Sequence, residues 1–247
     1  MSEEIEFVND PAPGGEMTAF ETWIAAVTKP NAATFEKIAA QPGASTGKAF
    51  LWAALASLIT AFFGALAQSV GAGQSMEMMR QFLPPEVARE IPMGGGGGFA
   101  AGISALICGA PLGAIFGVIF FAIGVALILW VSKMFGGTAE FEKMAYVFAA
   151  IMVPVAVINA VMSLLGMIPF IGILFGLVSF AVSIYSLVLH VFATQAVTGL
   201  DTGKAAASVI LPWLVVFIFV CCCLVIGISV MGATMGEVFN QVQQNLY

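Results

Sequence analysis

The sequence predicts an all-α protein, a polytopic membrane helix bundle with five transmembrane helices. Three observations carry this. Of 247 residues, 60% are hydrophobic and 9% charged, whereas a soluble domain carries roughly 25% charged residues. Apolar runs of about 20 residues recur, enough to cross roughly 30 Å of hydrocarbon as helices. Finally, those runs are continuous, unlike the alternating segments of about ten residues that build a β-barrel.

Residues 1–19 are acidic and hold proline and glycine, so they are expected to be disordered. No apolar h-region occurs in the first 48 residues, which leaves the first span as the targeting signal. Residues 20–48 carry Phe20, Trp23, Ile24 and Val27 at helical spacing, then Phe35, Ile38 and Ala39, with Pro30 between the two groups. They read as an amphipathic membrane-surface segment of two short helices. Ordinary packing of the same faces against the protein's own helices accounts for the pattern equally well.

A five-helix transmembrane domain is expected over 49–231. Its first span is 49–70, with Trp52 placed as an interfacial anchor. A polar loop, 71–98, ends in a glycine run that reads as a flexible joint. Residues 99–111 fit a short helix, a re-entrant segment or an extension of the next span. The second span is placed at 112–132, the third at 144–165, the fourth at 168–193 and the fifth at 207–231. Pro111 stands near the start of the second, and Pro169 and Pro212 are expected in first helical turns, where a missing N–H costs nothing. Pro154 lies inside the third span and predicts a kink. Residues 232–247 form a short amphipathic C-terminal tail, with Val238, Val242 and Leu246 four residues apart.

Five spans put Lys29, Lys37, Lys48, Lys133, Lys143 and Lys204 on the side of the N-terminus, and Arg80 and Arg89 on the other. This bias predicts a cytoplasmic N-terminus. The net charge of −6 argues against nucleic acid, whose phosphates need basic patches.

Chemistry is poorly provided for. GASTGKA, residues 43–49, is one residue too short between its glycines for a P-loop and has Ala49 where a magnesium-binding hydroxyl belongs. His190 is the single histidine, and no carboxylate or nucleophile lies within a helical turn of it. A structural hydrogen bond, to Gln195 or a backbone carbonyl, is the expectation. Asn159, Ser163, Ser183 and Tyr185 read as helix–helix contacts, with a substrate path the lesser alternative. No span carries Asp, Glu, Lys or Arg in its central portion, and Asp10 and Asp201 lie outside the spans. Cys108, Cys221, Cys222 and Cys223 read as small buried hydrophobes rather than metal ligands or disulfides. No enzyme, metal site or cofactor is expected.

Glycine is more informative. Gly102, Gly109, Gly113, Gly117 and Gly124 fall on one helical stripe, and Gly172 and Gly176 on another. Such stripes let membrane helices approach closely, within one subunit or between two.

The charged island FGGTAEFEKMAYVFAAIMVP, residues 135–154, reads as a hairpin. Gly136 and Gly137 end the second span in a tight turn. Thr138 can cap the next helix, with Glu140 and Glu142 near the positive end of its dipole. This island, together with IPFIGILFGLVSFAVSIYSLVLHVFATQAVTGLDTGKAAASVILPWLV and the number of spans, resembles the Yip1 domain family over roughly residues 50–231. The resemblance implies a five-span protein with a cytoplasmic N-terminus. It matches Gly136 and Gly137 to one family turn, and Gly199, Leu200, Gly203, Lys204 and Ala205 to the turn before the last span. Eukaryotic relatives are linked to vesicle traffic and bind Rab-type GTPases. The alanine-rich N-terminal region and glycine-rich loop look like those of a bacterial-type member.

The functional expectation is a non-enzymatic scaffold or adaptor in membrane organisation or trafficking, seated multi-pass in a bacterial cytoplasmic membrane. A small-solute transporter or channel-like protein is the alternative. Its partners are the lipid bilayer and other membrane proteins or a second copy of itself. Gly113, Gly117, Gly136, Gly137, Pro154, Gly199, Gly203 and Lys204 are the expected structural or partner-contact residues.

Overall fold

A computed structural model describes residues 16–82, 109–166, 168 and 172–246. In chain order its helices are α1 (Ala19–Thr28), α2 (Ala32–Ala39), α3 (Thr46–Phe82), α4 (Ala110–Met134), α5 (Phe141–Leu165), α6 (Gly172–Thr198) and α7 (Thr202–Leu246). The fold is all-α. Five segments are long and apolar enough to cross a membrane: Thr46–Ala67, Ala110–Met134, Phe141–Leu165, Leu174–Thr198 and Thr202–Val225. They alternate in direction, and α1, α2 and the turns at 135–140 and 199–201 share one end, the capped end.

Local chemistry sets the helix starts. Thr18 and Glu21 form a capping box: the Glu21 N–H donates to Thr18 Oγ1 at 3.3 Å and the Thr18 N–H to Glu21 Oε2 at 2.8 Å. These bonds hold the Glu21 carboxyl below its usual range. Asn31 caps α2, accepting from the Thr34 N–H at 2.8 Å. Pro111 lies in the first turn of α4, as the sequence suggested.

α5 is the centre of the bundle. Met144 to Ile151 are buried without a break, so its whole circumference is covered there. α3, α4, α6, α1 and α2 all pack on it. Beyond Ile151 only Val153, Ala156 and Ala160 remain buried, a single stripe.

The N-terminal segment contributes much of this enclosure. Phe35, Ile38 and Ala26 are fully buried, and α2 lies against α5 and α6. Tyr146 of α5 donates to Gln41 Oε1 at 3.4 Å, and Gln41 Nε2 donates to Thr22 Oγ1 at 3.3 Å. Trp52 sits between Trp23 and Tyr146, ring centroids 5.5 and 4.9 Å away. Tyr185 of α6 donates to the Val27 carbonyl at 2.6 Å. Packing against the protein's own helices is therefore realised in α1 and α2, while Phe20 and Ile24 remain exposed.

Several expectations are corrected. α3 runs on to Phe82, so the first part of the expected polar loop is helical; the Met-, Gln- and Arg-containing stretch QSMEMMRQF favours helix. α6 begins at Gly172 and reaches Thr198, later than its apolar run implies. The fifth span starts at Thr202, and Pro212 is therefore inside α7 rather than in its first turn. The backbone of α7 continues unbroken to Leu246, so the C-terminal tail prolongs the same helix. Residues expected to be disordered include Met17, which packs on the core, and the capping Thr18. α5 stays helical through Pro154. Cys222 and Cys223 are exposed on the lipid side of α7 and Cys221 is half-buried, all as free thiols, so burial inside the protein does not hold for this group. The glycine joint, the segment 99–108 with Gly102 and Cys108, and Arg89 lie outside the described residues.

Candidate functional site

Two turns more than sixty residues apart in the chain meet at the capped end. The first closes α4: the Gly136 N–H donates to the Lys133 carbonyl at 3.0 Å and the Gly137 N–H to the Ser132 carbonyl at 2.9 Å. This is a Schellman pattern, and Gly136 takes the φ of +94° that it requires. The second closes α6, where the Gly199 N–H donates to the Gln195 carbonyl at 3.0 Å with φ +69°. A side chain at either glycine would be held in the left-handed region, which only Gly visits at little cost.

One backbone bond joins the turns, from the Thr138 N–H to the Thr198 carbonyl at 3.3 Å. Gly137 faces Thr198 so closely that an added Cβ would lie 3.0 Å from the Thr198 Cβ and 3.0 Å from the Ser132 carbonyl oxygen. Thr198 and Ser132 are buried beneath the junction, each donating its hydroxyl to a carbonyl one turn earlier. Because Thr138 serves this junction, it does not cap α5 as expected. Glu140 is the N-cap, without a side-chain bond, and the helix begins at Phe141. Glu142 instead accepts from the Thr46 N–H at 3.1 Å, closing the start of α3.

The outer surface of the junction is polar. Lys133, Thr138, Glu140, Glu142, Lys143, Asp201, Thr202, Gly203 and Lys204 are exposed. Lys143 pairs with Glu140 at 3.5 Å and Lys204 with Asp201 at 3.6 Å, both solvated and weak. The Lys204 N–H donated to Asp201 holds that carboxyl below its ordinary range and caps α7. The Gly203 Cα lies beside the same carboxylate. The arrangement offers fixed charges and backbone groups in a rigid frame. Neither turn presents a nucleophile beside a base.

The other expected sites fall inside the bundle. Gly113 and Gly117 of α4 face α3, and Gly117 lies against Ser57 so tightly that a Cβ would collide with that side chain. A Cβ on Gly113 would come 3.3 Å from the Ala61 Cβ. Gly124, on the same stripe, and Gly176 have open space instead. Pro154 lies half-buried in α5. His190 Nδ1 donates to the Ser186 carbonyl at 2.6 Å, and its ring meets Phe148 edge-on at 4.7 Å; the expected backbone bond is the one formed. Ser163 and Ser183 donate to carbonyls of their own helices. Lys48, the lysine of GASTGKA, lies 3.5 Å from Glu16. Among the described residues no group of three or more His, Cys, Asp or Glu could hold a metal.

Sequence reasoning missed Thr198, Ser132, Gln41 and Tyr146. The Thr18–Glu21 spacing was a readable capping signal, whereas nothing in the chain announces a bond between positions 138 and 198. No curated protein and no solved structure matches the chain. The profile of the Yip1 domain matches residues 24–224, which takes in most of α1, all of α2 and the five spans almost to their end. This is a multi-pass integral membrane protein, in contact with the lipid bilayer, and it belongs to the Yip1 domain family.

Proposed function

We propose that the protein is a non-enzymatic scaffold or adaptor that holds membrane partners on its capped end. The observation carrying this reading is the junction of the Gly136–Gly137 and Gly199–Lys204 turns. Both are pinned by left-handed glycines and joined by the Thr138–Thr198 backbone bond. A rigid polar surface on the end of a lipid-embedded bundle suits recognition of another protein, because little is lost in ordering it on binding. Gly136, Gly137, Gly199 and Gly203 shape that surface, and Lys204 projects from it. The lysines gathered at the capped end support a cytoplasmic placement of this face and of the N-terminus, in a bacterial-type member of the family. Phe20 and Ile24 support a second contact, of α1 with the adjoining leaflet.

Photo-crosslinking from native membranes tests the proposal. A photoreactive residue at Thr202 should capture one discrete partner, identified by mass spectrometry after mild-detergent purification. Lys204→Glu should reduce that adduct at least fivefold, while a probe at lipid-facing Phe219 captures none of the same partner. Equal capture from both positions, or no effect of Lys204→Glu, would overturn it.

A further inference from the structure

Four spans surround a cleft. α5 and α7 each pack against both α4 and α6, so the helices form a ring that leaves about 480 Å³ between them. Its lining runs along α4 from Gly117 to Ile128, a length of about 16 Å at the helical rise. The level of His190 lies roughly 12 Å from the capped end of α6, so the whole cleft lies at membrane depth. We infer that this cleft is a binding site for one acyl chain of a bilayer phospholipid.

Three observations select that occupant. The lining holds no Asp, Glu, Lys or Arg, and its polar groups include the Ser183 hydroxyl and His190 Nδ1, both committed to backbone carbonyls. An apolar space of this kind does not hold water, which needs two to four polar partners. Secondly, the mouth faces lipid: the rings of Phe120 and Trp213 both line the cleft and are 68% and 61% exposed. Thirdly, the dimensions fit a chain and not a helix. A volume of about 480 Å³ over about 16 Å leaves a mean cross-section of about 30 Å². A helix about 10 Å wide needs roughly 80 Å², so a span from a second copy does not enter. The cleft is apart from the joined turns, and neither proposal depends on the other.

The test reconstitutes the full chain into phosphatidylethanolamine–phosphatidylglycerol vesicles containing a phosphatidylcholine with a diazirine on one acyl chain. After photolysis, adducts are mapped by mass spectrometry. The expected adducts fall on Phe148 and Met152, which face the cleft from α5, as well as on lipid-facing Phe219. Gly124→Phe fills open space in the cleft and should lower the α5 adducts at least fivefold without changing that at Phe219. Leu187→Trp, from the opposite wall, provides a second variant should the first fail to fold. Adducts at Phe219 with none at Phe148 or Met152, or α5 adducts indifferent to both variants, would overturn the inference. So would replacement of the α5 lipid adducts by crosslinks to a second copy.

Discussion

The two halves of α5 are built differently. From Met144 to Ile151 every side chain is buried, enclosed by spans on several sides and by α1 and α2. From Val157 onward the helix shows Val157, Ile158 and Val161 to the outside and keeps one stripe for the protein. The first half is packed like the interior of a soluble domain, with an aromatic cluster and a polar link through Tyr146, Gln41 and Thr22. The second half relies on lipid to cover it. In hydrocarbon, apolar contact with a neighbouring helix has little advantage over contact with lipid, so close packing must come from shape and hydrogen bonds. The capped half has both.

Breaking the capped half should have the largest effect. Phe35→Ala removes a fully buried ring from beneath α5 and should cost about 3–5 kcal/mol. Phe219→Ala, at a lipid-facing position of α7, should shift the thermal midpoint in nanodiscs far less. Equal losses would erase the contrast between the two regions.

A smaller effect is expected on α4. Replacing Gly113 and Gly117 together with leucine forces side chains into Ala61 and Ser57 of α3, at about 1–3 kcal/mol per site. Gly124→Leu, on the same stripe but against open space, is the control and should melt near the parent. A double leucine variant with unchanged melting and gel filtration would show that this stripe does not carry the α3 contact.

How far these features can be read in the sequence follows from the same physics. Apolar runs reveal the spans, because a bilayer imposes length and composition. The turns at Gly136 and Gly199 were readable too, since a helix end with left-handed backbone calls for glycine. What stayed hidden is which face of each span meets protein, for lipid and protein ask for the same residues. Thus Gly117 and Gly124 look alike in the chain, yet one touches Ser57 and the other borders the cleft. Tyr146 and Gln41 are separated by 105 positions, and no local pattern pairs them. Pro212 was misplaced because apolarity falls off at Ala205–Ser208, whereas the helix already starts at the Asp201 cap.

The joined turns give the next prediction. Gly136→Ala forces a side chain into the left-handed region and should cost about 1–2 kcal/mol, lowering the melting temperature modestly. Gly47→Ala, where an added Cβ meets nothing, should not.

The smallest effect concerns pH. The Asp201 carboxyl is held below its model value of 3.8 by the Lys204 N–H. Its contribution is present above that ordinary range and lost as pH falls through the depressed value. Asp201→Asn should therefore flatten the acid side of the stability curve slightly and leave neutral pH nearly unchanged. An equal acid slope in both proteins would deny the cap any role in it.

The central claim is that α5 changes from protein-covered to lipid-covered along its length. Labelling the reconstituted chain with a small apolar carbene reagent, and reading adducts residue by residue along α5, tests it directly. No adducts are expected at Met144 to Val147 or at Ala149 to Ile151, some at Phe148 and Met152 through the cleft, and helically spaced adducts at Val157, Ile158 and Val161. Helically spaced adducts along the whole of α5, including Val147 and Ala150, would contradict it.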